Sequence, residues 1–318
     1  MATTVLAATL FLAPSGLRAD DAPPQRIHEL VNLEFASEYV TPRGMMVHDQ
    51  GLTFQPLFLT LVNFYHDDTA AINDFSFAGG CWNDFSSAGV SVNGPYGSKP
   101  KTVWTEIDPI ADFSIGFAKY FKLDVTYTAF GEQILNIGYS QHLETKLGFD
   151  DTSYLGAFAL HPYFSYWQEL SHKSTDADLP SKLFNLGVPG VPAPRAGASH
   201  PAPNSSYYFD VGVDPSYTFK DTLGGLKLES PCRVMLPDDR FYGDYYASSS
   251  TVGIWEIGLK GTVPMNFMPA GYGHWSFHAG VNFLYFVDDN LYHLNTFNAP
   301  GKPTRDTLQG FAGVSVFF

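Results

Sequence analysis

The sequence has few cysteines, little positive charge and no long apolar run. Its two cysteines, Cys81 and Cys232, make neither a CxxC pair nor a metal-ligand spacing. They are expected to stay unpaired thiols, because the strands carrying them fall far apart around a sheet. No window approaches the ~18 consecutive apolar residues of a spanning helix, which excludes an α-helical membrane protein. Eighteen Lys plus Arg stand against 32 Asp plus Glu, a formal net charge of -14. Such a chain offers no basic patch to phosphates, so no nucleic-acid partner is expected. Signatures of catalysis are missing too: there is no GxSxG motif, phosphate-binding glycine loop or dinucleotide fingerprint. His48-Asp49, Ser171 with His172, and Asp238-Asp239 are coincidences that ten histidines make common, so no enzyme is expected. Asp67-Asp68, Asp150-Asp151, Asp238-Asp239 and Asp288-Asp289-Asn290 are oxygen-rich but lack an EF-hand spacing. They read as turn chemistry, and no metal or cofactor is assigned.

What the chain has is aromatic side chains, 16% of all residues, including 27 Phe and 18 Tyr. Charged residues also reach only 16%, low for a water-soluble chain and too few, with so many aromatics, for a disordered one. From residue 28 onward apolar and polar residues alternate with period two, the mark of strands with two unlike faces. Tyr207, Phe209, Val211, Val213, Pro215, Tyr217 and Phe219 interleave with Tyr208, Asp210, Gly212, Asp214, Ser216 and Thr218. Leu123, Val125, Tyr127 and Ala129 alternate with Lys122, Asp124, Thr126 and Thr128, and Trp275 to Val287 repeats the pattern. Some rows exceed the usual soluble strand of about 5–6 residues and suit a tilted membrane-crossing strand of about 9–11.

Twelve segments result: 30–40, 51–66, 72–85, 103–120, 122–131, 133–149, 154–169, 206–219, 226–237, 252–267, 274–288 and 307–318. The connections alternate, long at 41–50, 86–102, 170–205, 238–251 and 289–306, short at 67–71, 121, 150–153, 220–225 and 268–273. Short periplasmic turns and longer outer loops give this asymmetry in a membrane barrel. Only the connection near Glu132 breaks it. The reading is therefore all-β: a transmembrane antiparallel up-and-down β-barrel of about 12 strands, spanning 20–318 as one domain. Its longest outer loop is the proline-rich 170–205. Residues 1–19 read as a signal peptide, with an apolar Val5–Ala13, a Pro14/Gly16 break and Ala19 before Asp20-Asp21. The expected location is the bacterial outer membrane, with its lipid as partner.

In hydrocarbon a sheet must close, so the twelfth strand has to pair with the first. Leu33, Phe35, Ser37 and Tyr39 are expected outward on that first strand. Trp104, Trp167, Trp255, Trp275, Tyr39, Tyr139 and Tyr285 are candidates for the aromatic girdles. The last strand alternates to a terminal Phe318, which resembles the assembly signal read by the barrel-assembly machinery. The inward parity carries Glu34, Glu38, Glu106, Asp108, Asp112, Asp124, Glu144, Asp210, Asp214, Glu229 and Glu256. Against these eleven acids stand five bases, Lys122, Lys146, Lys227, Arg233 and Lys260, with His142, His161, His274 and His278 nearby. A lumen so lined favours small cations over anions.

Ser37-Glu38-Tyr39-Val40-Thr41-Pro42-Arg43-Gly44 and Trp104-Thr105-Glu106-Ile107-Asp108 resemble the opening hairpins of the TorF-type porins, with Pro42 and Met45-Met46 departing from the pattern. That resemblance implies an outer-membrane barrel of passive transport. Arg43, beside flexible Gly44, is expected to pair with Glu38 or a neighbouring carboxylate and fix the first hairpin's mouth. The leading expectation is thus a passive, porin-like channel for small solutes or ions, cation-favouring. The alternatives are a non-transporting structural or adhesion barrel, and a secreted soluble β-sandwich that binds carbohydrate.

Overall fold

The computed structural model describes residues 26–90, 93–94, 97–98, 102–133, 139–171, 206–239, 241–243, 250–298 and 304–318. Residues 1–19, expected to be a signal segment, and residues 172–205 of the longest expected loop lie outside them. Twelve antiparallel strands close into a barrel. In chain order they are β1 (Ile27–Ala36), β2 (Thr53–His66), β3 (Ile72–Val90), β4 (Thr102–Phe117), β5 (Phe121–Glu132) and β6 (Ser140–Phe149). Next come β7 (Pro162–Ser171), β8 (Tyr207–Val213 with Ser216–Phe219), β9 (Leu226–Glu229 with Cys232–Pro237), β10 (Ile254–Pro264), β11 (His274–Phe286) and β12 (Asp306–Phe317). Asp214-Pro215 and Ser230-Pro231 interrupt β8 and β9 side by side, where proline removes a ladder donor.

Each strand pairs with its sequence neighbours, and β12 returns to β1 with Leu30 opposite Phe317 and Ala36 opposite Phe311. Closure excludes the two-layer sandwich. The seam runs to the last residue: Phe318 and Glu29 exchange both backbone hydrogen bonds, and His28 Nδ1 lies 3.1 Å from the Phe318 carbonyl. Three side-chain links reinforce it. Ser315 donates to Asn32 at 2.7 Å, Gln309 Nε2 donates to the Glu38 carbonyl at 2.6 Å, and Thr307 donates to the Glu38 carboxylate.

Alternation explains the wall. On β6, Ser140, His142, Glu144, Lys146 and Gly148 point inward and are buried, while Leu147 on the opposite face is exposed. Phe35, Phe58, Phe113, Phe164, Val211, Ile257, Leu259, Phe277 and Leu308 likewise stand outside. This oily belt is the surface a hydrocarbon solvent accepts.

Some expected boundaries move. The first segment ends at Ala36, because bends at Ser37 and Glu38 turn the chain inward. The fourth ends at Phe117, followed by a tight turn with Ala118 at φ 50° and Lys119 at φ 70°. The seventh begins at Pro162, not 154: Thr152–Leu155 is a helical turn, α1, continued by a 3-10 turn at Gly156–Phe158. The Asp151 carboxylate holds that excursion closed by accepting the N–H groups of Leu160 and His161. The connection near Glu132 runs from 133 to 139, and the loop after β11 contains a second helix, α2 (Asp289–Asn298).

Candidate functional site in the lumen

The inward side chains leave little open space. Asp108, Asp112, Asp124, Glu144, Asp210 and Glu256 are all 6% exposed or less. They lie on β4, β5, β6, β8 and β10 and make a continuous polar interior. Asp112 accepts from Thr126 at 2.6 Å and Glu144 from Ser165 at 2.7 Å. Asp124 accepts from Ser114 and from Lys122 Nζ at 2.9 Å. Asp108 accepts the Gly131 N–H at 3.1 Å. Arg233 reaches Glu256 at 2.9 Å and Asp210 at 3.1 Å. Lys146 lies 3.9 Å from the centre of the Tyr163 ring. Towards the tight-turn end, Glu229 sits 2.9 Å from Lys227 and 3.7 Å from Lys260, with Asp214 at the break in β8. His278 meets Glu34 at 3.0 Å.

Two of these carboxylates keep an oxygen with no hydrogen-bond partner among the described residues: Oδ2 of Asp112 and Oδ1 of Asp210. Buried acids in this state are costly.

The end with the long connections is closed. Residues 37–48 fold into the barrel mouth as a short ribbon, Tyr39–Val40 against Met46–His48. Tyr39 is expected outward but lies fully buried against Trp82, ring centres 5.1 Å apart. Trp167, expected in a girdle, is also internal and stacks on Tyr208. The physical reason is closure: once the loop bends at Ser37-Glu38, strand parity no longer governs the ribbon from Tyr39 to His48. Val40, Met46, Phe241, Tyr242, Leu291 and Leu294 then form one apolar plug with wall residues Phe130, Trp167, Met235 and Ile254. Helix α2 holds the ribbon through Asn295, whose Oδ1 accepts the Met46 N–H at 2.9 Å and whose Nδ2 donates to the Gly44 carbonyl at 2.8 Å. Gly44 has φ +80°, and a Cβ there would meet Ile254 at 2.7 Å, so the turn needs glycine.

Arg43 does not pair with Glu38. It projects into the lumen and is 2% exposed. Its Nη1 donates to His142 Nε2 at 2.8 Å, and its guanidinium carbon sits 4.1 Å from the centre of the Phe130 ring. Ser140 also bonds His142 Nε2, at 2.7 Å. Since arginine can only donate, His142 Nε2 accepts. The Arg43 carbonyl accepts from the Tyr242 hydroxyl, and the neighbouring Pro42 carbonyl accepts from Arg233 Nη2 at 2.8 Å. Sequence reasoning missed this assembly, although a Pro-Arg-Gly turn flanked by Tyr39-Val40 and Met45-Met46-Val47 is too apolar for a solvated loop.

His48 is likewise internal, 2.9 Å from Asp84, whose carboxylate also takes Thr53, Thr105 and, at 3.1 Å, Gln55. At the tight-turn end Asp150, Asp151 and His161 bring potential ligand atoms within 4.8 Å of one another. The Asp151 oxygens already serve backbone N–H groups and Asp150 Oδ1 accepts from Thr152, so the group closes a turn. His274, expected near the lumen, is exposed at that end. Phe318 is half exposed at the end of the seam.

No protein-family model matches the chain, and no curated protein matches it. Among solved structures it is similar to the NanC porin at 7% identity and TM-score 0.42, covering 90% of this chain and 98% of that one. Outer membrane phospholipase A from Escherichia coli matches at 9% identity and TM-score 0.40, over 91% and 92%. The transport unit of the autotransporter AIDA-I from Escherichia coli matches at 11% identity and TM-score 0.38, over 98% and 97%. The likeness is one of barrel form alone.

Proposed function

We propose that the chain is an outer-membrane barrel that passes small cationic solutes or ions, closed at rest by its own outer loops. The observation that carries this reading is the row of buried lumen carboxylates, Asp108, Asp112 and Asp210, of which Asp112 and Asp210 keep an oxygen with no hydrogen-bond partner among the described residues. A barrel built only to stand in a membrane would be as stable or more so with neutral side chains there. The outward oily belt supports a lipid surround, and the partner that inserts it would be the barrel-assembly machinery, acting on the β12 end at Phe318. The reading gives the chain no catalytic role.

The filled lumen favours a second reading, a non-transporting barrel that presents its loops for adhesion or assembly. Recordings in planar bilayers separate the two. The channel reading expects conductance whose reversal potential in a potassium chloride gradient shows cation preference. Silence across salts, voltages and pH, in both the natural chain and a variant lacking 39–46, would leave only the second.

A further inference from the structure

Arg43 is a buried cation in an unusual setting. Its Nε has no hydrogen-bond partner, and among the described residues no carboxylate oxygen lies within 4.0 Å of its guanidinium. What surrounds it is a receptor for a flat cation: the face of Phe130, the acceptor nitrogen of His142, and the β4 carboxyl groups Glu106 and Asp108, which act on it through space. These groups all belong to the wall, on β4, β5 and β6, whereas Arg43 belongs to a loop held by a few polar links. The ring face and the acceptor nitrogen that hold the guanidinium are therefore both supplied by the wall.

We propose that this seat is a binding site for guanidinium-bearing small solutes, and that Arg43 occupies it as a built-in stand-in while the barrel is closed. A guanidinium fits better than an ammonium, because it stacks flat on an aromatic face and is less strongly hydrated. The inference rests on the channel reading only for the solute's route in; binding itself does not require conduction.

The test uses the refolded full barrel carrying Arg43→Ala, with methylguanidinium as probe and methylammonium and sodium at equal ionic strength as controls. Methylguanidinium should raise the melting temperature of the variant saturably, with a half-saturating concentration about tenfold below that of methylammonium. The natural barrel, whose seat is filled, should respond only at far higher concentration, because the probe must first displace Arg43. Adding Glu106→Gln to the variant should weaken the response about tenfold, by removing the facing charge. Equal responses to all three salts, or the same rise in the natural barrel, overturn the proposal. Should Arg43→Ala not fold, hydrogen exchange in the natural barrel decides: methylguanidinium must speed exchange of the 41–46 amides by competing for the seat, and unchanged exchange overturns it. A barrel that binds methylguanidinium yet stays electrically silent refutes the channel reading and leaves the site standing.

Discussion

Replacing Arg233 with methionine tests whether the lumen charges hold the closed state together. Arg233 on β9 bonds Glu256 on β10 and Asp210 on β8, so one side chain ties three strands. Its third bond, to the Pro42 carbonyl, ties that wall to the plug. Methionine fills most of the arginine stem, so the cavity term is small. The loss comes from two buried carboxylates that lose the cation bonded to them, and breaking a buried pair by removing one partner costs about 3–5 kcal/mol. Equilibrium unfolding in detergent, followed by tryptophan emission and by heat-modifiable gel migration, should show a loss of that size. The triple variant Asp210→Asn, Arg233→Met, Glu256→Gln removes the charges together and should return to within about 1 kcal/mol of the parent. Both variants should exchange the 41–44 amides faster, because both lack the link to Pro42. A single variant as stable as the parent, or a triple variant no better than the single one, would refute the reasoning.

Other outcomes rest on the same interior and its turns. Gly313 lies between Glu34 and His278 in the register, and a Cβ there would sit 2.4 Å from the Leu33 carbonyl and 2.8 Å from His278 Nε2. Gly313→Ala should therefore push the Glu34–His278 bridge apart and cost about 2–4 kcal/mol in the same unfolding assay, through overpacking and a lost charge-assisted bond. In the β6–β7 turn burial opposes the Asp151 charge, but the N–H groups of Leu160 and His161 outweigh it and lower the carboxyl's pKa. A depressed folded pKa gives stability that is present above the unfolded value of about 3.9 and lost as pH falls through the folded one. Protease cleavage at 152–160 should thus stay flat from neutral pH to about 4 and rise below it, whereas Asp151→Ala should be cleaved at all pH values. Cys81 on β3 and Cys232 on β9 are free thiols six strands apart around the twelve-strand ring. The mass and gel mobility of the oxidised chain should not change on reduction; a reducible internal crosslink would contradict the strand order.

The wall was readable from sequence because its rule is local. A strand between oil and a polar interior must alternate, and from Ser140 to Gly148 or from Tyr207 to Val213 each residue declares its side without reference to anything distant. Strand number and the seam derive from that rule and from the need to leave no edge unpaired. The plug was not readable, because its burial is decided by groups up to about 250 residues away: Asn295 for Met46, Tyr242 for the Arg43 carbonyl, Arg233 for Pro42. Tyr39 shows where the local rule stops. Its parity with Phe35 places it outward, but two bends later it stacks on Trp82 inside. Charge shows the same limit: the sequence places acids on the inner face, yet cannot tell that Arg43, from a loop, becomes the cation set among them. Its position is decided by His142, Phe130 and Tyr242, each about 90 to 200 residues away along the chain, so no local pattern could announce it.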